Sequence, residues 1–209
     1  MKQPEIKAAL IRALEDEMDS PLTALGYHRP PKGLVYSRQE GGMKCQFAFE
    51  FASNPSYAVG AIAHLTPALR TANARISELA LQLTEDPWLL ANAPDVIQNQ
   101  RLTLVTKPHM PECYLANFSQ VRDATKGILS KFIEHGLTFL EDYSTPRGIV
   151  SQYEAGDSRG LLQQHYYVYV VAASLLEGRT EVAKTIVEDK FSKPGVKKRF
   201  EALWRNVNA

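Results

Sequence analysis

The chain has few of the features that assign a protein to a biochemical class. It contains two cysteines, Cys45 and Cys113, among 209 residues. Disulfide-stapled domains are much richer in cysteine, so we expect free thiols in a cytoplasmic protein. The formal net charge is +1, from 24 basic and 23 acidic residues. A balance this close to zero disfavours a nucleic-acid binder with a basic face, and it gives no support to an acidic mimic of nucleic acid.

Long apolar runs are also lacking. Residues 1–7 have no apolar run of the kind found in signal peptides. The longest apolar stretch, Tyr166 to Leu176, is about half the length that a membrane span needs. We therefore expect no targeting signal, no transmembrane helix and no membrane partner.

Motifs for catalysis and metal binding are missing as well. The histidines are scattered without the i, i+4 helical spacing of a zinc site. His109 and Cys113 have that spacing, but Pro111 between them would interrupt a helix. No Gly-x-Ser-x-Gly elbow and no glycine-rich phosphate loop occur. The sequence thus predicts no catalytic residue, no metal site and no cofactor.

What the chain does contain is a strongly alternating segment at residues 44–51. A period of two is the signature of a strand, because successive side chains point to opposite faces of a sheet. One side carries Cys45, Phe47, Phe49 and Phe51, and the other carries Lys44, Gln46, Ala48 and Glu50. We expect the aromatic side to be core and any function of the strand to lie on the other side.

Two further segments predict the neighbours of this strand. Leu34 to Arg38 precedes it across the turn at Glu40-Gly41-Gly42, and Tyr57 to Leu65 follows it. Glycine accepts the positive φ that hairpin turns require, so the three segments predict an antiparallel meander. Arg101 to Thr106 predicts a fourth strand.

Apolar residues at helical spacing predict helices that cover the sheet. The predicted helices are residues 5–19, Thr66-Pro67 to Leu83, a helix capped by Asn117 or Ser119 and running to His135, a short helix opening at Ser144-Thr145-Pro146, Leu161 to Leu176, a helix from Thr180 and a last helix from Pro194. We expect the helix after Pro67 and the apolar C-terminal helices to cover the aromatic side of the alternating strand. Tyr166 to Val171 favours a strand by composition, but the apolar run is too long for one and predicts a buried helix.

The predicted fold class is therefore α+β. We expect an antiparallel β-meander of three to four strands covered by helices, with a C-terminal helical extension. The corresponding domains are residues 1–143, which form the sheet domain, and residues 144–209, which form the extension packed on it. A single domain over residues 1–209 is the alternative.

Four polar residues form the predicted partner-binding set: Lys44, Gln46, Glu50 and His64. Glu50 lies in the middle of its strand, and His64 on the next strand could neighbour it as a general acid/base pair. Ordinary polar alternation on the solvent side of a half-covered sheet is the favoured interpretation of both residues.

A cationic cluster near the C-terminus surrounds two aromatic residues. Its members are Lys190, Lys193, Lys197, Lys198, Arg199 and Arg205, around Phe200 and Trp204. Such a mixture resembles a nucleic-acid patch. Acidic residues interleave with the cations, however, and the two aromatics are one helical turn apart, so a solvated helix face is the favoured interpretation.

One pattern resembles bacterial domains of unknown function that open with leucine-glycine-aromatic before a strand of alternating phenylalanines. It consists of Pro21-Leu22-Thr23-Ala24-Leu25-Gly26-Tyr27, then the strands at 34–38 and 45–51, then Gly136-Leu137-Thr138-Phe139-Leu140 and Leu176-Glu177-Gly178-Arg179. The resemblance covers roughly two thirds of the chain. Some of these domains look like immunity proteins of bacterial toxin systems, and their shared motifs carry no catalytic residue.

Three hypotheses on function follow. The first is a non-enzymatic protein-binding module, such as an immunity protein that neutralises a bacterial toxin. The second is a small-molecule enzyme or ligand-binding protein with a site between sheet and helices that uses Glu50 and His64. The third, which the charge balance disfavours, is a nucleic-acid module that uses the C-terminal helix.

Overall fold

The computed structural model describes residues 3–90, 96–160 and 163–208, which combine strands and helices. The strands are β1 (Val35–Glu40), β2 (Met43–Ser53), β3 (Ala63–Ala72), β4 (Val96–Arg101) and β5 (Cys113–Leu115). Within the described residues they form one antiparallel five-stranded sheet in the order β1-β2-β3-β4, with β5 paired to β3. The predicted α+β class with an antiparallel meander is confirmed.

Helices make up most of the rest. They are α1 (Gln3–Glu17), α2 (Asp19–Ala24), α3 (Ala74–Thr84), α4 (Leu102–Val105), α5 (Gln120–Lys131), α6 (Leu137–Asp142), α7 (Pro146–Glu154), α8 (Gln164–Leu176), α9 (Thr180–Phe191), α10 (Pro194–Arg199) and α11 (Glu201–Asn208). A 3-10 turn spans Pro87–Leu89, and a π-helical turn spans Phe132–Gly136. None of the helices in the described ranges has the length and apolar character needed to cross a membrane.

The buried helix predicted at the apolar run is confirmed as α8, over Gln164–Leu176. Leu161, where the predicted helix begins, lies outside the described residues together with its neighbour. Most of α8 is buried on every side. A helix surrounded by other elements needs no polar face, which explains its unbroken apolar sequence.

The predicted third strand and the helix after it have wrong boundaries. β3 runs from Ala63 through Pro67 to Ala72, so Thr66-Pro67 does not begin a helix. Asn73 begins α3 instead, because its side-chain oxygen accepts a hydrogen bond from the Ile76 amide at 3.0 Å. Both faces of β3 are largely buried. Its Leu69 and Ala72 lie three residues apart and Ile76 of α3 follows four residues later, so apolar residues of the strand and the helix together imitate one helical spacing.

The fourth strand is also displaced. It was predicted from Arg101 to Thr106, but β4 ends at Arg101 and α4 follows directly. Leu102 and Val105, three residues apart, are buried on one side of this helical turn, whereas Leu104 is 49% exposed. A single turn is too short to show a helical period in the sequence.

The described residues divide into two compact units, each built from separated segments. The first combines Met1–Gln39, Cys45–Arg70 and Gln100–Leu140, and the second combines Glu40–Lys44, Thr71–Asn99 and Glu141–Ala209. The domain boundary predicted at residue 143 stays a prediction.

The core of the first unit forms on the aromatic side of β2. The Phe47 ring stacks on Phe132 of the π-helical turn, with centroids 4.1 Å apart and planes 10° from parallel. Tyr27 meets the same Phe132 ring edge-on at 5.7 Å. The Cys45 thiol donates to the Leu140 carbonyl at 3.8 Å. Within this unit the cover of the aromatic side therefore comes from the segment that follows α5, rather than from the helix predicted after Pro67.

The second unit is organised around α8, which packs against α3, α7 and α9. A cluster of hydrogen-bonded polar residues joins the end of α6 to the segment after α7. The Tyr143 hydroxyl donates to Asp157 at 3.1 Å, and the Arg159 guanidinium bridges Asp157 and Asp142. Gly160 lies where a Cβ would come within 3 Å of the Tyr143 hydroxyl, so only glycine allows this close approach.

Removal of the Phe47 ring should destabilise the fold strongly. Phe47→Ala deletes a fully buried ring that stacks on Phe132, and such deletions cost about 3–5 kcal/mol. Chemical denaturation measures the change in the free energy of unfolding. Phe118→Ala, at an exposed aromatic of the same unit, is the matched control and should cost about 0.5 kcal/mol or less. Equal losses in the two variants would contradict this account of the core.

Asp157 should make stability depend on pH in the acid range. Burial raises the pKa of its carboxyl, but hydrogen bonds from Arg159 and Tyr143 lower it by more, so the pKa lies below its ordinary value. The carboxylate therefore stabilises the fold fully above the unfolded pKa of about 3.9, and this stabilisation is lost as the pH falls through the lower folded pKa.

The test compares the free energy of unfolding across that pH window. Asp157→Asn should be less stable at neutral pH and should lose less stability on acidification than the wild-type chain. An unchanged slope in Asp157→Asn would show that this carboxyl does not contribute.

Candidate functional site

Tyr57 is presented by a tight loop between β2 and β3. The Asn54 amide donates to the Ile62 carbonyl at 2.8 Å and closes the loop, and the Ala58 amide donates across the first turn inside it. Asn54 and Gly60 have φ values of 46° and 82°, in the left-handed region that asparagine and glycine adopt most readily. The loop leaves the Tyr57 side chain 65% exposed.

β5 and the residue before it place a second aromatic side chain and a carboxylate next to His64. In its pairing with β3, Tyr114 lies opposite His64. The two rings are 4.5 Å apart at 33°, and the Ile62 amide donates to the Leu115 carbonyl at 2.7 Å. Directly paired residues of an antiparallel ladder have neighbouring side chains, so the short β5 is sufficient to place Tyr114 against His64.

The two ring nitrogens of His64 form hydrogen bonds with a hydroxyl and with a carboxylate. Its Nδ1 lies 3.0 Å from the Tyr57 hydroxyl, and its Nε2 lies 2.7 Å from Glu112 Oε2. An ionised carboxylate only accepts hydrogen bonds, so Nε2 carries the proton; Nδ1 of the neutral ring then accepts from Tyr57. His64 is only 7% exposed. Both ring nitrogens of this buried histidine are therefore satisfied.

The exposed groups around His64 form one patch, which we call the Tyr57–Tyr114 surface. It consists of Tyr57, Arg101, Glu112 and Tyr114. The Tyr57 and Tyr114 rings lie 6.5 Å apart, and Tyr114 is 45% exposed. Arg101 lies 3.9 Å from Glu112, so one cation and one anion border the aromatic residues. Its charges are balanced, and aromatic side chains dominate its chemistry.

Cys113 lies in β5 between Glu112 and Tyr114, but its thiol is a poor nucleophile. Burial raises the pKa of the thiol, and the nearby Glu112 carboxylate raises it further. The thiolate is the reactive form of cysteine, and a raised pKa keeps it scarce at neutral pH. Neither Cys113 nor Cys45 forms a disulfide within the described part of the chain.

The structure separates the two candidate residues of the predicted acid/base pair. Arg70 of β3 pairs with Glu50 of β2, and strand alternation places His64 on the same side of β3 as Arg70. His64 and Arg70 are six residues apart, however, which is about 20 Å along a strand. Glu50 therefore cannot exchange a proton directly with His64, whose carboxylate partner is Glu112.

The other members of the predicted partner-binding set have separate surroundings. Lys44 is exposed on β2. Gln46 donates from its side-chain amide to the Ser37 hydroxyl at 3.2 Å. Their role in partner binding stays a prediction. Of the predicted set, only His64 lies at the Tyr57–Tyr114 surface, where it is buried beneath the exposed tyrosines.

Sequence reasoning missed the remaining residues of this surface. Tyr57 was predicted inside a strand, although it lies in the loop before β3. Glu112 and Tyr114 follow Pro111 in a segment for which the sequence predicted neither a helix nor a strand. Three-residue β5 is too short to show a period of two. The only available signal was the neighbouring Cys113-Tyr114-Leu115, whose alternation spans one repeat.

The C-terminal cationic cluster uses its aromatic residues for packing. Phe200 is buried, and Trp204 donates from its indole nitrogen to the Phe191 carbonyl at 3.1 Å. The Lys197 ammonium lies 4.0 Å from the centre of the Trp204 ring, and Arg205 pairs with Glu85 at 2.6 Å. A nucleic-acid patch would present aromatic faces to bases, so this arrangement favours the solvated helix face.

Neither a search for metal-binding clusters nor a comparison with known proteins adds information on the site. Within residues 3–90, 96–160 and 163–208, no group of three histidine, cysteine, aspartate or glutamate side chains could hold a metal ion. Comparisons of the chain with family models, curated proteins and solved structures found no match. The resemblance to immunity-type domains stays a prediction.

The hydrogen bonds of His64 predict its tautomer. At a pH where the ring is neutral, we expect the proton on Nε2, because Glu112 can only accept. Nitrogen-15 chemical shifts of the imidazole ring measure the tautomer directly. Exposed His109 is the internal control and should show a mixture of tautomers. A proton found on Nδ1 of His64 would contradict the described arrangement.

Proposed function

We propose that this chain is a non-enzymatic protein-binding module and that its partner docks on the Tyr57–Tyr114 surface. The observation that carries the proposal is a pair of exposed tyrosines held in place by a buried histidine. Tyrosine and arginine are enriched among the residues that dominate interface energies, and this surface contains both. Its two aromatic rings and its charged border fit the apolar centre and polar rim of an interface.

Fixed side chains favour binding, because a partner then has less side-chain motion to restrain. Tyr57 is tied through its hydroxyl to His64, and Tyr114 is fixed by the β5 pairing and by contact with the His64 ring. Ordering a mobile side chain at an interface costs about 0.5–1.5 kcal/mol. His64 therefore supports affinity without touching the partner.

Neutralisation of a bacterial toxin is the specific form of this function that we propose. Its support is the resemblance of Pro21 to Tyr27 and the strands after it to immunity-type domains. The Tyr57–Tyr114 surface would then be the side of the chain that meets the toxin.

A second candidate function is favoured by one observation. Hydroxyl, imidazole and carboxylate are connected in series from Tyr57 through His64 to Glu112, and such a series can move a proton during catalysis. The two functions differ in what they need from Tyr57. Catalysis needs its hydroxyl, whereas a partner mainly contacts its ring.

The product of a gene adjacent to the one encoding this chain is the first partner to test, with affinity measured by calorimetry. Tyr57→Ala and Tyr114→Ala should each weaken binding by about 30-fold, the loss of about 2 kcal/mol expected at an interface hot spot. Trp88→Ala removes an exposed aromatic residue of the second unit and is the matched control, which should bind as the wild type does. Binding that survives both tyrosine changes would place the interface elsewhere.

Tyr57→Phe separates the two functions. It keeps the ring and loses the hydroxyl, so protein binding should weaken only a few-fold, from lost anchoring to His64. A complete loss of a measured catalytic activity in Tyr57→Phe, with no partner bound by the wild-type chain, would replace the binding function with the enzymatic one.

A further inference from the structure

A surface cavity in the second unit has the features of a small-molecule site. Its volume is about 370 Å³, which lies within the range of ligand pockets. Helices α7, α8 and α9 and the turn after α7 enclose it. The residues that line it are Tyr153, Glu154, Gly156, Asp157, Tyr166, Tyr167 and Lys190. None of these residues belongs to the surface proposed above for a protein partner.

Two tyrosine rings and one ammonium group form the functional wall of this cavity. The Tyr153 and Tyr167 rings are 6.0 Å apart and nearly perpendicular. The Lys190 ammonium lies 5.8 Å from the centre of the first ring and 5.2 Å from the centre of the second. Both distances are within the range of cation–π attraction, so the rings and the cation hold one another in place.

The hydrogen-bonding capacity of this wall is largely unused. Neither the Tyr153 nor the Tyr167 hydroxyl makes a hydrogen bond within the described part of the chain. Lys190 pairs at 2.6 Å with Asp189, an exposed neighbour on the same helix. Exposed ion pairs contribute little free energy, so a ligand can take the place of Asp189 at small cost.

The carboxylates that line the cavity are already neutralised. Glu154 accepts two hydrogen bonds from Arg179, at 2.6 and 2.9 Å. Asp157 accepts from Arg159 and from Tyr143. Neither carboxylate is therefore available to attract a cationic ligand. The groups that remain are donors: one ammonium and two phenol hydroxyls.

Burial also keeps Tyr153 in its donor form. It raises the pKa of the phenol, and the nearby Lys190 ammonium offsets part of this rise. The hydroxyl consequently stays protonated at neutral pH.

We propose that this cavity binds a small aromatic oxyanion, that is, a flat ring carrying a carboxylate or a phosphate group. The oxyanion accepts hydrogen bonds from Lys190 and from the hydroxyls of Tyr153 and Tyr167. The ring of the ligand packs against the tyrosine rings. Gly156 leaves one wall open, since nothing lies within 4 Å of where a Cβ would be.

The test titrates four probes into the full chain, followed by the ring signals of Tyr153 and Tyr167 in NMR spectra. Benzoate and phenyl phosphate carry a ring and an oxyanion, inorganic phosphate lacks the ring, and benzylamine carries a cation. We expect saturable shifts with benzoate or phenyl phosphate, and the tighter of the two identifies the anion. Inorganic phosphate should bind at least tenfold more weakly, and benzylamine should not bind.

Variants then assign the contacts. Lys190→Met should weaken the better probe by about tenfold or more, as expected for loss of a charge-assisted hydrogen bond. Lys184→Met, on the same helix and paired with Glu181, is the matched control and should bind as the wild type does. Tyr153→Phe and Tyr167→Phe should each weaken binding several-fold. Thermal melting verifies that each variant is folded.

Three outcomes would overturn the proposal. One is the lack of saturable shifts with either aromatic anion. Another is benzylamine binding more tightly than benzoate, which would identify an aromatic cage for cations. The third is a Lys190→Met chain that is folded and binds the aromatic anion as the wild type does.

Discussion

The stack of Phe47 on Phe132 is the contact on which the rest of the first unit depends. It fixes which side of β2 faces the interior, and the period of two then fixes the opposite side as polar. A shift of one residue in β2 would expose three buried side chains and bury Lys44, so the register has no close competitor. The neighbouring strand β3 inherits this orientation, which is why Arg70 meets Glu50 on the polar side.

The orientation of β3 determines the surroundings of His64. It is the second residue of β3 and lies on the polar side of the sheet, yet it is buried by aromatic residues from the loop before β3 and from β5. A buried imidazole needs partners for both nitrogens, and here one partner is a carboxylate and the other is an exposed phenol. The cost of burying the ring is thus offset by hydrogen bonds that also hold Tyr57 in position.

The parts of the fold that were predictable are those with a long, regular pattern. β2 alternates over eight residues, and α8 is too long an apolar run for a strand, so each could be assigned from its own sequence. The boundaries of β3 could not, because Thr66-Pro67 fits a helix start as well as it fits the strand just beyond its pairing with β5. The boundary between β3 and α3 is determined by Asn73, which caps α3, and by the burial of β3 on both faces.

The candidate site was predictable only in part, for a related reason. His64 was identified from its place on a strand next to Glu50, but its true partners come from a loop and from a strand of three residues. These contacts join segments that are distant in the sequence. No pattern in the residues next to Glu112 or Tyr57 predicts them. The cavity beside Lys190 likewise combines three helical segments. Tyr153 comes from α7, Tyr166 and Tyr167 from the apolar helix α8, and in the sequence Lys190 is one cation among several.

We propose that His64 holds the Tyr57 side chain in one position before any partner binds. The most direct measurement is the set of scalar couplings that report the χ1 angle of Tyr57 in the free chain, compared between the wild type and His64→Phe. We expect one dominant rotamer in the wild type and averaging over several rotamers in the variant. Rotamer averaging of Tyr57 in the wild-type chain would contradict it.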